Sequence, residues 1–193
     1  MKKNVLSFIV LCIAVVMPVN AQSEKIKILE SAFVQGGETS LEAFGVSKPE
    51  NMLVFNSKTN TKYSRTTFMK FKIPEGMNCL NSVRISLQIV VFKNKDFPDS
   101  KFDLDVQAVP EGKWSSQSIT FNNAPKLGDV LGSAQLDQSL DGKMGRVEIK
   151  LKEETVNKLI KESKNGILTI ALANNVFSRI SAAIGKDSFL IVE

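Results

Sequence analysis

Between residues 66 and 108 the chain keeps placing an apolar side chain at every second position. Thr67, Met69, Phe71 and Ile73 share one parity in the stretch Thr66 to Ile73. Val83, Ile85, Leu87, Ile89 and Val91 then alternate with Arg84, Ser86 and Gln88, and Phe102, Leu104, Val106 and Ala108 alternate with Asp103, Asp105 and Gln107. Successive side chains of a strand point to opposite faces, so each stretch has one face to bury and one to show to solvent. Several such strands hide their apolar faces by packing sheet on sheet. The expected fold is therefore all-β, an antiparallel two-sheet β-sandwich. The second and third stretches are read as antiparallel partners.

The other segments fit this scheme. Ile26 and Ile28 against Lys25 and Lys27 read as an edge strand, where lysines discourage further pairing. Glu30 to Val34 reads as a second short strand closed by Gly36-Gly37, and Glu38 to Asn51 as a long loop. Met52 to Phe55 is the next strand and Asn56 to Ser64 a polar turn. Gly128 and Gly132 mark turns, and Leu136 to Gly145 is weakly patterned. Val147, Ile149 and Leu151 form a strand. Glu153 to Ser163 is the one short helix, with Val156, Leu159 and Ile160 as its apolar stripe and acids in its first turn. Ile167 to Ala173 is apolar nearly throughout, as in a central strand buried on both sides. Asn174 to Gly185 reads as a loop and Ser188 to Val192 as the last strand.

The start of the chain reads as a signal peptide. Lys2 and Lys3 precede an apolar run from Val5 to Met17, Pro18 breaks it, and small residues end at Ala21. The expected division is a leader at 1–21 and a single domain at 22–193, secreted to the periplasm or beyond, with no membrane span after cleavage. Cleavage removes Lys2 and Lys3 from 25 basic residues, leaving 23 against 20 acidic ones, so the formal charge falls from +5 to +3. That balance is no nucleic-acid signature. Cys12 leaves with the leader, so Cys79 has no intramolecular partner and is read as a small buried thiol.

Trp114, alone of its kind, precedes a short alternating stretch in which Ile119 and Phe121 share a parity. Asn122, Asn123 and Pro125 stop it, so the reading is a short strand ending in a fixed turn at a sandwich corner. This segment, Trp114 with Ile119-Thr120-Phe121-Asn122-Asn123-Ala124-Pro125 and Gly128, resembles the Trp…NNAP segment of the secreted DNRLRE-type domain, allied to carbohydrate-binding module family 96. Ala32 to Gly37, Leu53 to Asn56 and Ser64 to Ile73 resemble further pieces of that family, in order. Ser31, Lys72 and Ile180 stand where the family's motifs commonly have an acid. The resemblance implies a jelly roll. It also implies binding of polysaccharide, since such modules are attached to enzymes acting on anionic polysaccharides such as alginate.

Chemistry narrows in the same direction. The sequence has no histidine, which removes Ser-His and Cys-His pairs. No phosphate loop, dinucleotide fingerprint or zinc spacing occurs. A carboxylate pair would have to be assembled from distant strands, and Tyr63 near Arg65 is the only hint of lyase chemistry. An enzyme is not expected. The candidate ligand-binding residues are Arg65, Phe68, Lys70, Lys72, Arg179 and Trp114: cations to meet sugar carboxylates and rings to stack on a pyranose. For Phe68 the competing reading is a ring covered by a loop, and for Trp114 a place in the core. Asp96, Asp99, Asp103 and Asp105 are candidate calcium ligands, against the plainer reading of a solvated acidic face. The other class of function is structural, a β-sandwich that pairs with a secreted enzyme or surface protein.

Overall fold

The computed structural model describes residues 23–56, 63–77, 79–163 and 165–193. The expected leader with Cys12, and most of the turn at 56–64, lie outside them. Among the described residues, ten strands make the antiparallel two-sheet sandwich that the alternation predicts: β1 Glu24–Gln35, β2 Leu53–Val54, β3 Arg65–Lys72, β4 Val83–Phe92, β5 Phe102–Ala108, β6 Val130–Leu136, β7 Gly145–Lys150, β8 Ile167–Ala173, β9 Ser181–Ile184 and β10 Phe189–Val192. In sheet A, β4 is central. It pairs with β7 on one side and with β10 and then β9 on the other, while β10 also pairs with the first part of β1 and β9 with β2. Sheet B runs from the second part of β1 through β3, β8 and β5 to β6. From β3 to β9 the chain passes repeatedly between the sheets, in jelly-roll manner.

The predicted inward rows are the core. Met69, Phe71, Ile85, Leu87, Leu104, Val106, Leu168 and Leu172 are buried between the sheets. β8 is buried on both faces, because Ala171 on its outward side joins a second, smaller cluster outside sheet B. Helix α2, Glu153–Glu162, buries Val156 and Ile160 as its stripe requires. The Asn157 side chain fastens it to Leu80, accepting from the backbone N–H at 2.8 Å and donating to the carbonyl at 3.0 Å.

Several expectations are corrected. β5 pairs with β6 and β8 instead of β4, because the 93–101 connection crosses from one sheet to the other. The two predicted strands at 25–34 are one, β1, which leaves sheet A and enters sheet B past an irregularity between Ile28 and Glu30. The loop at 38–51 holds a 3-10 turn at Gly37–Thr39 and a short helix α1, Phe44–Ser47, so α2 is not the only helix. α1 lays Phe44 against Phe33, ring centroids 4.4 Å apart. Cys79 is exposed, in the connection before β4. β9 forms within the predicted 174–185 loop, and β6 runs through Gly132 where a turn was expected.

Gly132 belongs in that strand for a steric reason. A Cβ there would lie 2.3 Å from the Lys150 carbonyl oxygen, so only glycine lets β6 approach β7. Gly132→Ala is expected to lower stability by about 1–3 kcal/mol, the usual effect of overpacking against backbone. An unchanged urea midpoint would show that the two strands separate without loss.

Candidate functional site

Sheet B does not present the middle of the outward face of β3, at Phe68 and Lys70, to solvent. The segment from 109 to 125, between β5 and β6, lies over it as a roof. The Phe68 ring is 1% exposed and meets Trp114 edge to face, centroids 5.8 Å apart. Trp114 is 9% exposed, and Ala32, Val34, Val109, Ile119 and Ala171 complete this small apolar cluster. Phe68 and Trp114 thus take the alternative reading: both are buried, and neither offers a ring face to a sugar. Apolar rings on an outward strand face gain by being covered, at about 25 cal/mol per Å² removed from water.

Lys70 holds the roof down. Its ammonium pairs with Glu30 Oε2 at 2.8 Å, donates to the Trp114 carbonyl, and lies 4.4 Å from the Trp114 ring centroid. Glu30 Oε1 accepts from the Ser116 N–H at 2.6 Å. Burial works to raise the Glu30 pKa. The Lys70 hydrogen bond, the Ser116 N–H and the Lys70 charge outweigh it, and the carboxyl rests below its ordinary range. Within the roof no strand forms at 118–121. Asn123 instead accepts from the Thr120 N–H at 2.7 Å and donates to the Ser118 carbonyl at 3.0 Å, using groups that a ladder would need. Ile119 is buried and Phe121 exposed, so the predicted shared face is absent.

The basic row of β3 is not a cluster either. Arg65 shares parity with Thr67, opposite to Lys70 and Lys72, and its Nε donates to Gln35 Oε1 at 2.6 Å. Burial pulls the Arg65 pKa below the ordinary guanidinium value, with Tyr63 opposing. Lys72 is exposed and donates to the Asn165 carbonyl just past the C-terminus of α2. A helix C-terminus carries negative partial charge, so Lys72 neutralises its neighbourhood there. The cleft of about 680 Å³ beside it also contains Glu75.

Arg179 is placed differently. It lies in the β8–β9 connection, past the Ala173 end of β8, against the β4–β5 connection. Its guanidinium lies 3.5 Å from the Phe97 ring centroid and 6.0 Å from that of Phe177. Asn94 Nδ2 donates to the Arg179 carbonyl at 3.0 Å, and Ser178 Oγ to the Lys101 carbonyl at 2.9 Å, so the two connections are stitched together. Phe97 is 38% and Phe177 41% exposed. Among the described residues no carboxylate forms an ion pair with Arg179. Asn174, buried in the same connection, has an Nδ2 without a hydrogen-bond partner among the described residues. Register places Arg65 at this end of the sandwich too, since Thr67 lies opposite Leu172. Phe97 and Phe177 escaped sequence reasoning; the available signal was a bulky ring in each of two connections, the first otherwise polar and the second shared with Val176 and Ile180.

The acidic candidates lie nearby. Asp103 accepts from Gln135 at 2.9 Å, and Asp105 from Ser133 at 2.5 Å and Asn175 at 2.8 Å. Asp96 and Asp99 are in the β4–β5 connection. Among the described residues no three acidic or thiol side chains come together as a metal-binding group.

A family model described as carbohydrate-binding module family 96 matches residues 22–166. No curated protein matches the chain. Among solved structures, the K1 cleaved adhesin domain of Lys-gingipain from Porphyromonas gingivalis W83 is similar. That likeness has 7% identity and a TM-score of 0.32, over 89% of this chain and 96% of that one.

The Glu30 lock has a pH signature. Because its folded pKa is depressed, Glu30 contributes stability above the ordinary glutamate range, and that contribution is lost as pH falls through the folded value. Glu30→Gln should lower stability at pH 7 by about 1.5–3 kcal/mol, the scale of a charged hydrogen bond. It should also flatten the acid limb of a plot of Tm against pH. A variant with the parent's acid limb would remove Glu30 from this role.

Proposed function

The chain belongs to carbohydrate-binding module family 96, and from that premise we propose that it is a secreted, non-catalytic module for an acidic, uronate-containing polysaccharide. Arg179 anchors a sugar carboxylate, and Phe97 and Phe177 flank it. One observation carries this reading: the Arg179 guanidinium lies over the Phe97 ring, 3.5 Å from its centroid, with no carboxylate partner among the described residues. A planar guanidinium offers two parallel N–H donors to a carboxylate, and stacking fixes its orientation before the ligand arrives. Phe177 supplies an apolar surface for a pyranose. Arg65 adds positive potential at the same end.

Non-catalytic binding agrees with the family and with a sequence that lacks histidine. The charged candidates on β3 are assigned elsewhere: Lys70 to the roof and Lys72 to the end of α2. Secretion rests on the leader-like sequence at 1–21. Among the described residues no helix is long and apolar enough to cross a membrane.

Calorimetric titration against alginate, pectin and a neutral glucan tests the proposal. Heat is expected with the acidic polymers, weakening as salt rises. Arg179→Ala should bind them about tenfold to a hundredfold more weakly, as loss of a charge-assisted pair implies. Silence on every acidic glycan at millimolar concentration, or an undiminished affinity in the variant, would refute the assignment.

A further inference from the structure

The two sheets differ in what covers them. Sheet B wears the roof; among the described residues no such segment lies over sheet A, although Ser86 and Ile191 on its outward face are buried beneath neighbouring side chains. β4 buries Val83, Ile85, Leu87, Ile89 and Val91, so Arg84, Ser86, Gln88, Val90 and Phe92 point outward. Register continues this face onto the neighbours. Phe189 of β10 lies opposite Ser86 and, on its other side, Lys27 of β1; Ile191 lies between Arg84 and Lys25; Arg146 of β7 lies opposite Gln88. At the far end Phe92 pairs with Ser181 of β9, two residues after Arg179. The Arg179 site is therefore a prolongation of this face.

The face has a graded charge pattern. At one end Lys25 and Lys27 are exposed, and among the described residues neither has a carboxylate partner. Arg179 is equally uncompensated at the other end. Between them the floor is aromatic and close to neutral. Phe92 is 48% exposed. The Phe189 ring has the Lys25 ammonium 4.8 Å from its centroid and the Arg146 guanidinium 4.9 Å away. The cations of the floor already have acids: Arg146 pairs with Asp187 at 2.7 Å, and Arg84 with Glu193 at 2.9 Å and Glu148 at 3.6 Å. Arg84 Nε is also buried, without a hydrogen-bond partner among the described residues.

We propose that the outward face of sheet A extends the Arg179 site into a track for a long acidic chain, so that the module grips the interior of a polysaccharide and not only a terminal sugar. From Arg84 to Phe92 the track runs eight residues of strand, about 27 Å, which is several sugar rings. One carboxylate meets Arg179, the exposed Phe92 ring bears on a sugar face between, and a distant carboxylate meets Lys25 and Lys27. The proposal rests on the reading of Arg179 given above, and its experiment separates the two.

The test is calorimetry of the full mature chain with a length series of mannuronate and galacturonate oligomers, from dimer to octamer. Affinity should climb with length until the track is filled. A Lys25→Ala and Lys27→Ala double variant should lose about tenfold for the octamer and keep the parent's dimer affinity. Both side chains are exposed, so its Tm should match the parent's. Arg179→Ala should weaken every length. Equal affinity for dimer and octamer, or an octamer affinity unmoved in the double variant, would overturn the track and leave the Arg179 site standing. No binding at any length would overturn both.

Discussion

One lysine, one glutamate and one tryptophan determine which surfaces this protein can use. Lys70 sits on the outward face of a central strand of sheet B, where an ammonium would ordinarily reach into water. Here Glu30, on the neighbouring strand, neutralises it at 2.8 Å, and the Trp114 ring and carbonyl complete its surroundings. A half-buried ion pair stabilises only when its remaining hydrogen-bonding capacity is met, and Ser116 meets the second Glu30 oxygen. The result is a clamp between sheet and roof. With the roof in place, Phe68 and Ala171 are buried in an apolar cluster on the outward side of sheet B, and β8 is buried on both faces. A ligand has no access to the outward face of sheet B beneath the roof.

That closure divides the labour of the fold. Sheet B carries a second layer of packing on its outward side. Sheet A keeps an open outward face, and the connections stitched by Asn94 and Ser178 put Arg179 at its edge. For a carbohydrate-binding module the arrangement has a clear use. A polymer needs an accessible, preorganised surface more than a deep pocket, and strands hold side chains at fixed spacings more firmly than loops do. A guanidinium stacked on a ring has already lost the freedom that binding would otherwise remove.

What the sequence made legible follows from the range of the interactions involved. The inward rows of β3, β4 and β5 and the fully apolar β8 were readable because period-two burial is a local pattern. Phe68 and Lys70 were not, because alternation says which face a side chain is on and not whether that face is later covered. β6 and β9 contain Gly132, Ala182 and Ala183, residues of low strand propensity, and their pairing comes from tertiary neighbours. β4 and β5 looked like a hairpin because neighbours in sequence usually pair; their connection is long enough to change sheets. At the site, Arg179 was legible as a loop cation. Its partner Phe97 lies in a different connection with no periodicity to flag it, so only the fold brings the two together.

The central claim is that the roofed part of sheet B, around Phe68 and Lys70, is closed to ligand and that binding occurs on the Arg179 edge and the outward face of sheet A. Amide chemical-shift mapping on adding a polyuronate examines both halves at once. The account predicts perturbed amides at 84–92, 94–97 and 177–191, with those of 66–72 and 113–124 unmoved. Shifts concentrated at 66–72 and 113–124, with Arg179 and its neighbours silent, would contradict it.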